Sequence, residues 1–144
     1  ILHSLNSPIV EEEIPFISVN GCRLELRYTY IRKNDCFEVK EGCAKESKNR
    51  ATSNVCLGGF EIGIEDAIEK IYQSEGFSEK YIQRKVREKR KEFLQPNKRF
   101  AKTFFSYLRE KNEIPAYLNV DFIPSWKEND IILYFLEANP GHHL

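Results

Sequence analysis

Between Cys22 and Tyr30 every second residue is apolar or aromatic, with Cys22, Leu24, Leu26, Tyr28 and Tyr30 on one side and Arg23, Glu25, Arg27 and Thr29 on the other. Only an extended strand can bury a period of two on a single face, so this stretch commits the chain to a sheet with one packed and one wet face. Asn20-Gly21 just before it supplies the positive φ values of a tight hairpin turn, which makes residues 14–19 the preceding strand. Arg32-Lys33-Asn34-Asp35 reads as the next turn and residues 36–41 as a third strand. The polar stretch 42–54 reads as an exposed loop.

The hydrophobic period then changes. Ile64, Ala67, Ile68, Ile71 and Tyr72 recur at helical spacing, with Glu65 and Asp66 in the first turn and Gly76 as the stop. Ser78 and Glu79 open a second helix, which Pro96 is expected to close near Leu94. A third helix over 97–111 carries the stripe Phe100, Ala101, Phe104, Phe105 and Leu108. Residues 117–123 and 131–137 return as strands, joined by 124–130, where Trp126 packs over a sheet edge and Asp130 begins a strand turn. The order β-β-β-α-α-α-β-β predicts one α+β domain over 1–144. Its sheet is largely antiparallel, a helical layer covers one face, and residues 1–13 form a flexible N-terminal segment. A chain of 144 residues with 41% hydrophobic and 31% charged residues is long and apolar enough to bury a core of its own.

A net charge of zero hides a separation of charge. Residues 78–111 hold twelve Lys or Arg against four Glu, so this segment is +8 and the remaining 110 residues are −8. On the second helix Lys80, Arg84, Arg87 and Lys91 fall within about 60° of one another, opposite Ile82, Val86 and Phe93. Lys98, Lys102 and Arg109 line one edge of the third helix, with Arg99 beside them. If the apolar faces bury, these cations share one side of the molecule, and a phosphate backbone rewards that arrangement by releasing condensed counterions. Tyr81, with Tyr28 and Tyr30 on the neighbouring strand, could then stack unpaired bases. The expected function is a non-enzymatic module that docks nucleic acid through Lys80, Arg84, Arg87, Lys91, Lys98, Arg99 and Lys102. The alternative is an acidic protein surface, whether a partner's or the chain's own Glu11-Glu12-Glu13 laid across the helices.

Residues 37–42, Phe-Glu-Val-Lys-Glu-Gly, are similar to the E-x-K half of the PD-(D/E)xK nuclease motif, and their place on the third strand of a meander fits that family. The resemblance implies that Glu38 binds a divalent metal and Lys40 polarises the attacking water. The family's second carboxylate is an Asp on the preceding strand. This chain has none there, so Glu25 would have to substitute. Otherwise no cofactor, metal or catalytic set is expected. The three His (His3, His142, His143) stand at the chain ends, leaving no interior imidazole for general-base work. Cys22, Cys36, Cys43 and Cys56 include no C-x-x-C pair of the kind zinc sites use. Cys22, Cys36 and Cys56 read as half-buried strand or loop thiols in a reduced, intracellular compartment, the favoured reading, and two disulfides in a secreted chain stay open. No apolar run reaches the ~20 residues of a membrane span.

Overall fold

A computed structural model of the chain describes residues 16–48 and 61–140. Six strands and two helices follow in the order β1 (Ser18–Val19), β2 (Cys22–Lys33), β3 (Cys36–Lys48), β4 (Glu61–Gly63), α1 (Ile64–Ser74), α2 (Glu79–Glu110), β5 (Tyr117–Lys127) and β6 (Asp130–Pro140). The strands form one antiparallel sheet in the order β4-β3-β2-β5-β6, with β1 paired to β2. Both helices lie on the face of Leu24, Leu26, Tyr28 and Tyr30, all fully buried, and the fold is α+β.

The hairpin turns follow from residues that tolerate positive φ. Asn20 and Gly21 connect β1 to β2 at φ 54° and 77°. Glu128 and Asn129 connect β5 to β6 at φ 50° and 66°, a two-residue turn of the primed kind that matches strand twist. Residues 124–130, expected to be a loop, are therefore mostly strand. Trp126 does pack inward, its ring 5.7 Å from that of Tyr72, and Asp130 begins β6 with its carboxylate accepting from the Ile131 amide at 2.9 Å. The strand expected at 14–19 is described only from residue 16. There Phe16 bridges Ser125, and the Ile17 amide donates to the Pro124 carbonyl at 3.1 Å.

The third strand runs past its expected end at residue 41 to Lys48. Of its inward positions there, Ala44 joins the core, whereas Glu41 and Glu46 are held by ion pairs in place of apolar side chains. Glu41 accepts two hydrogen bonds from Arg90 of α2, at 2.7 and 3.1 Å, and Glu46 pairs with Lys70 of α1 at 3.2 Å. A bulge interrupts the ladder: Leu26 faces Ala44 but Tyr28 faces Glu41, so Gly42 and Cys43 together oppose Arg27. A Cβ at Gly42 would lie 2.6 Å from the Arg27 carbonyl oxygen, which is why glycine stands there. The outer face of β2 is less wet than expected. Glu25 and Asp121 are buried on that side, paired with Arg23 at 2.5 Å and with Arg27 at 2.8 and 3.1 Å.

The two helices expected on either side of Pro96 are one helix of 32 residues, with Pro96 inside it. Proline removes a single backbone donor, and packing on both sides outweighs that loss. Phe93, Asn97, Ala101 and Phe105 continue the buried stripe through the proline. Asn97, fully buried, fastens the helix there: its amide donates to the Phe93 carbonyl at 2.7 Å and its oxygen accepts from the Tyr30 hydroxyl at 2.7 Å.

Cys36 and Cys43 are free thiols, whereas Cys22 is disulfide-bonded, contrary to the thiol expected there. The expected N-terminal segment 1–13 with its three Glu, residues 49–54 of the expected loop, Cys56 and the three His lie outside the described residues. No described helix is long and apolar enough to cross a membrane.

Candidate functional site

The Ser78 hydroxyl caps α2 by accepting from the Tyr81 amide at 3.3 Å. Because the helix continues through Pro96, Lys80, Arg84, Arg87, Lys91, Lys98, Lys102 and Arg109 all fall within about 60° of one another, in a row about 44 Å long. All seven are exposed. After Phe93 the buried positions recur every fourth residue, so the core line drifts about 40° per step around the helix. The row stands opposite the core at the start of α2 and descends to the flank of the sheet toward its end.

That flank faces β3. One groove lies between residues 39–41 of β3 and Arg84, Arg87 and Lys91, with Leu94 among its lining. A second lies between residues 35–39 and Lys98, Lys102 and Arg109, with Ala101 and Phe105. Val39 borders both, so they join into one furrow. At its head a smaller depression formed by Ser78, Lys80 and Tyr81 shares Arg84 and Arg87 with the first groove. The furrow wall on β3 is, among the described residues, an open edge. Among the described residues only β4 pairs with that side of β3, at Cys43, Ala44 and Lys45.

Six of the seven residues nominated from sequence border this track, and Arg99 does not. Among the described residues no ion pair engages Lys80, Arg87, Lys91, Lys98 or Lys102, while Arg84 reaches Glu88 at 3.9 Å. Two other cations of the segment are internal ties. Arg90 binds Glu41 and also Glu65 of α1 at 3.3 Å, and its hydrogen bonds to Glu41 raise its pKa above the ordinary arginine value. Lys89 is 1% exposed and bonds to Glu92 at 2.6 Å and to Asp130. Burial opposes its charge, but the two carboxylates outweigh burial and hold its pKa above the usual lysine value. Lys89 occupies a core position of the stripe Ile82, Val86, Lys89, Phe93, a spacing that could have revealed it in the sequence.

The stacking residues differ from expectation. Tyr28 and Tyr30 are fully buried and unavailable to a base. Tyr81 is half-buried at the head of the row, with the Arg84 guanidinium 5.2 Å and the Lys85 ammonium 5.7 Å from its ring. Phe77, which the sequence did not single out, stacks on Tyr81 with centroids 4.6 Å apart and 21° between planes, and is 38% exposed.

The nuclease-like pair is not assembled. Glu25 lies opposite Lys45 and Glu38 opposite Ile31, six residues along β2, or about 20 Å of strand. Glu38 and Lys40 instead pair with each other at 2.9 Å, and the lysine's hydrogen bond holds the Glu38 carboxyl below the usual range. Among the described residues no cluster of three or more His, Cys, Asp or Glu could hold a metal ion. A separate apolar cleft between Tyr107, Leu108, Ile114 and Pro140 has Arg32 as the one cation among its described lining residues and lies off the row. No family model, no curated protein and no solved structure matches the chain.

Proposed function

We propose that the chain is a non-enzymatic binding module that docks nucleic-acid backbone along the α2–β3 furrow. The observation that carries this reading is the row of exposed cations along one face of α2, five of them without an ion pair among the described residues. Carboxylates meet them only sparsely along the track, at Glu88, Glu41, Glu38 and Asp35. Lys80, Arg84, Arg87 and Lys91 provide phosphate contacts from the first half of α2, and Lys98 and Lys102 extend them. Arg99 contributes at longer range, through the field of the helix.

A second reading is an acidic polypeptide partner, favoured by the open edge of β3 beside the cations. An extended acidic segment could add there as a strand with its carboxylates toward α2. The two readings part in a fluorescence anisotropy titration. With about five phosphates neutralised, oligonucleotide affinity falls by about 2–3 decades between roughly 50 and 200 mM salt. Reversal of Arg87 and Lys91 to Glu abolishes it with little change in the melting temperature, because both side chains are exposed. Absence of oligonucleotide binding at the lower salt would sink the nucleic-acid reading.

A further inference from the structure

We infer that the ligand of the furrow is single-stranded: its phosphates follow α2, while its bases turn toward the β3 edge and the Phe77–Tyr81 pair. This rests on the nucleic-acid reading above and names the form the nucleic acid takes. Three features of the track support it.

The first is the geometry of the row. Seven cations spread over about 44 Å stand about 7 Å apart on average, along one line of a helix. Each strand of a duplex carries a phosphate every ~3.4 Å of axis and winds away from any straight line, so a duplex meets such a row only where its backbone crosses it. A stretched single strand can lie along the row for its whole length.

The second is the chemistry of the walls. One wall is cationic. The other, residues 35–41, is a strand edge whose outward backbone N–H and C=O groups have no partner strand among the described residues. Val39, Leu94 and Phe105 place apolar surface in the furrow between them. A duplex keeps its Watson–Crick edges paired and its base faces stacked, so along this furrow it could use mainly the cations. An unpaired strand can use everything: phosphates on the cations, base faces on the apolar surface and Watson–Crick edges on the backbone groups of β3.

The third is the aromatic pair at the head of the row. Phe77 keeps 38% of its surface in solvent and stacks on Tyr81, which lines a depression with Lys80, Arg84 and Arg87. Its stack on Tyr81 rests in turn on Tyr72, with centroids 5.7 and 6.2 Å from that ring. A flat aromatic held by other rings, one of them carrying Arg84 and Lys85 on its face, is a surface on which a terminal base can stack.

The test compares a labelled thymidine oligomer of about 12 nucleotides, a duplex of equal phosphate number and a Glu-rich peptide, for the wild type, Phe77→Ala, Phe77→Leu and the Arg87→Glu/Lys91→Glu double variant. Phe77→Leu keeps an apolar side chain on Tyr72 and Tyr81 while removing the ring, so it guards against a folding defect in the alanine variant. The single strand is expected to bind about 10-fold tighter than the duplex. Both Phe77 variants should weaken it by about 5-fold or more without changing duplex binding, and the double charge reversal should remove both. A duplex bound as tightly as the single strand, or Phe77 variants that leave the single strand unaffected, would overturn this inference and leave backbone docking standing. Binding of the peptide alone would overturn both and assign the edge to strand addition.

Discussion

The buried Lys89 yields a prediction in which the two halves of one ion pair are unequal. Lys89 is 1% exposed, whereas its partners Asp130 and Glu92 keep 46% and 56% of their side-chain surface in water. Replacing Lys89 by Met removes the charge that is costly to bury, keeps an unbranched side chain between Val86 and Phe93, and leaves two carboxylates that water can solvate. Stability should change by no more than about 1 kcal/mol. Asp130→Asn keeps an oxygen for the Ile131 amide but leaves the ammonium buried with only Glu92 as a charged partner, at a cost of about 2 kcal/mol. Urea denaturation followed by fluorescence of Trp126, the sole tryptophan and a neighbour of Tyr72, would measure both changes from the shift of midpoint at constant slope. The pH dependence adds a check on sign. Burial works against the Asp130 carboxylate, but the Lys89 hydrogen bond and the Ile131 amide outweigh it and lower its pKa. Its contribution is therefore present above about pH 4 and lost as pH falls through the lowered value, so the gap between wild type and Asp130→Asn should close in acid. The raised Lys89 value places the opposite limit above about pH 10, where its share is lost as pH rises. Lys89→Met costing as much as Asp130→Asn would refute the reasoning, because the pair would then outweigh the burial of its lysine.

Two further substitutions probe the frame of the furrow. Gly42→Ala drives a Cβ against a backbone oxygen that cannot rotate away, and should cost about 2–3 kcal/mol in chemical denaturation, whereas the same change at open, positive-φ Gly76 should cost about 1 kcal/mol. Tyr30→Phe leaves the buried Asn97 oxygen without its donor and should cost about 1–2 kcal/mol. Combined with Asn97→Leu, it should cost less than the sum of the single changes, and simple additivity in that double-mutant cycle would show that the bond does not couple strand to helix.

Much of this architecture was legible where a period and its packing agree. Leu24, Leu26, Tyr28 and Tyr30 alternate in sequence and all bury, and Ile64 to Tyr72 do the same at helical spacing. Legibility failed where charge replaces hydrophobicity inside. Glu41 and Glu46 face the helices from β3 and are matched by Arg90 and Lys70, so a strand that ends in polar residues read as a loop. Pro96 misled for another reason, because its local cost to the helix is set against a buried stripe that continues on both sides of it. The cation row was visible as composition, but its continuity depended on that proline. Neither Phe77 nor the open edge of β3 has a sequence signature, since both are set by what other elements leave uncovered.

That edge has a consequence for how copies of the chain meet. A bare strand is a template on which the same strand of a neighbouring molecule could zip, the first step of ordered aggregation. Two copies joined edge to edge at residues 36–41 would bring their α2 rows alongside each other, like charge against like. The kink at Gly42 and the charged Glu38 and Lys40 further spoil a flat match. Each molecule thus carries its own repellent along the β3 edge, and neutralising the row would remove that protection there.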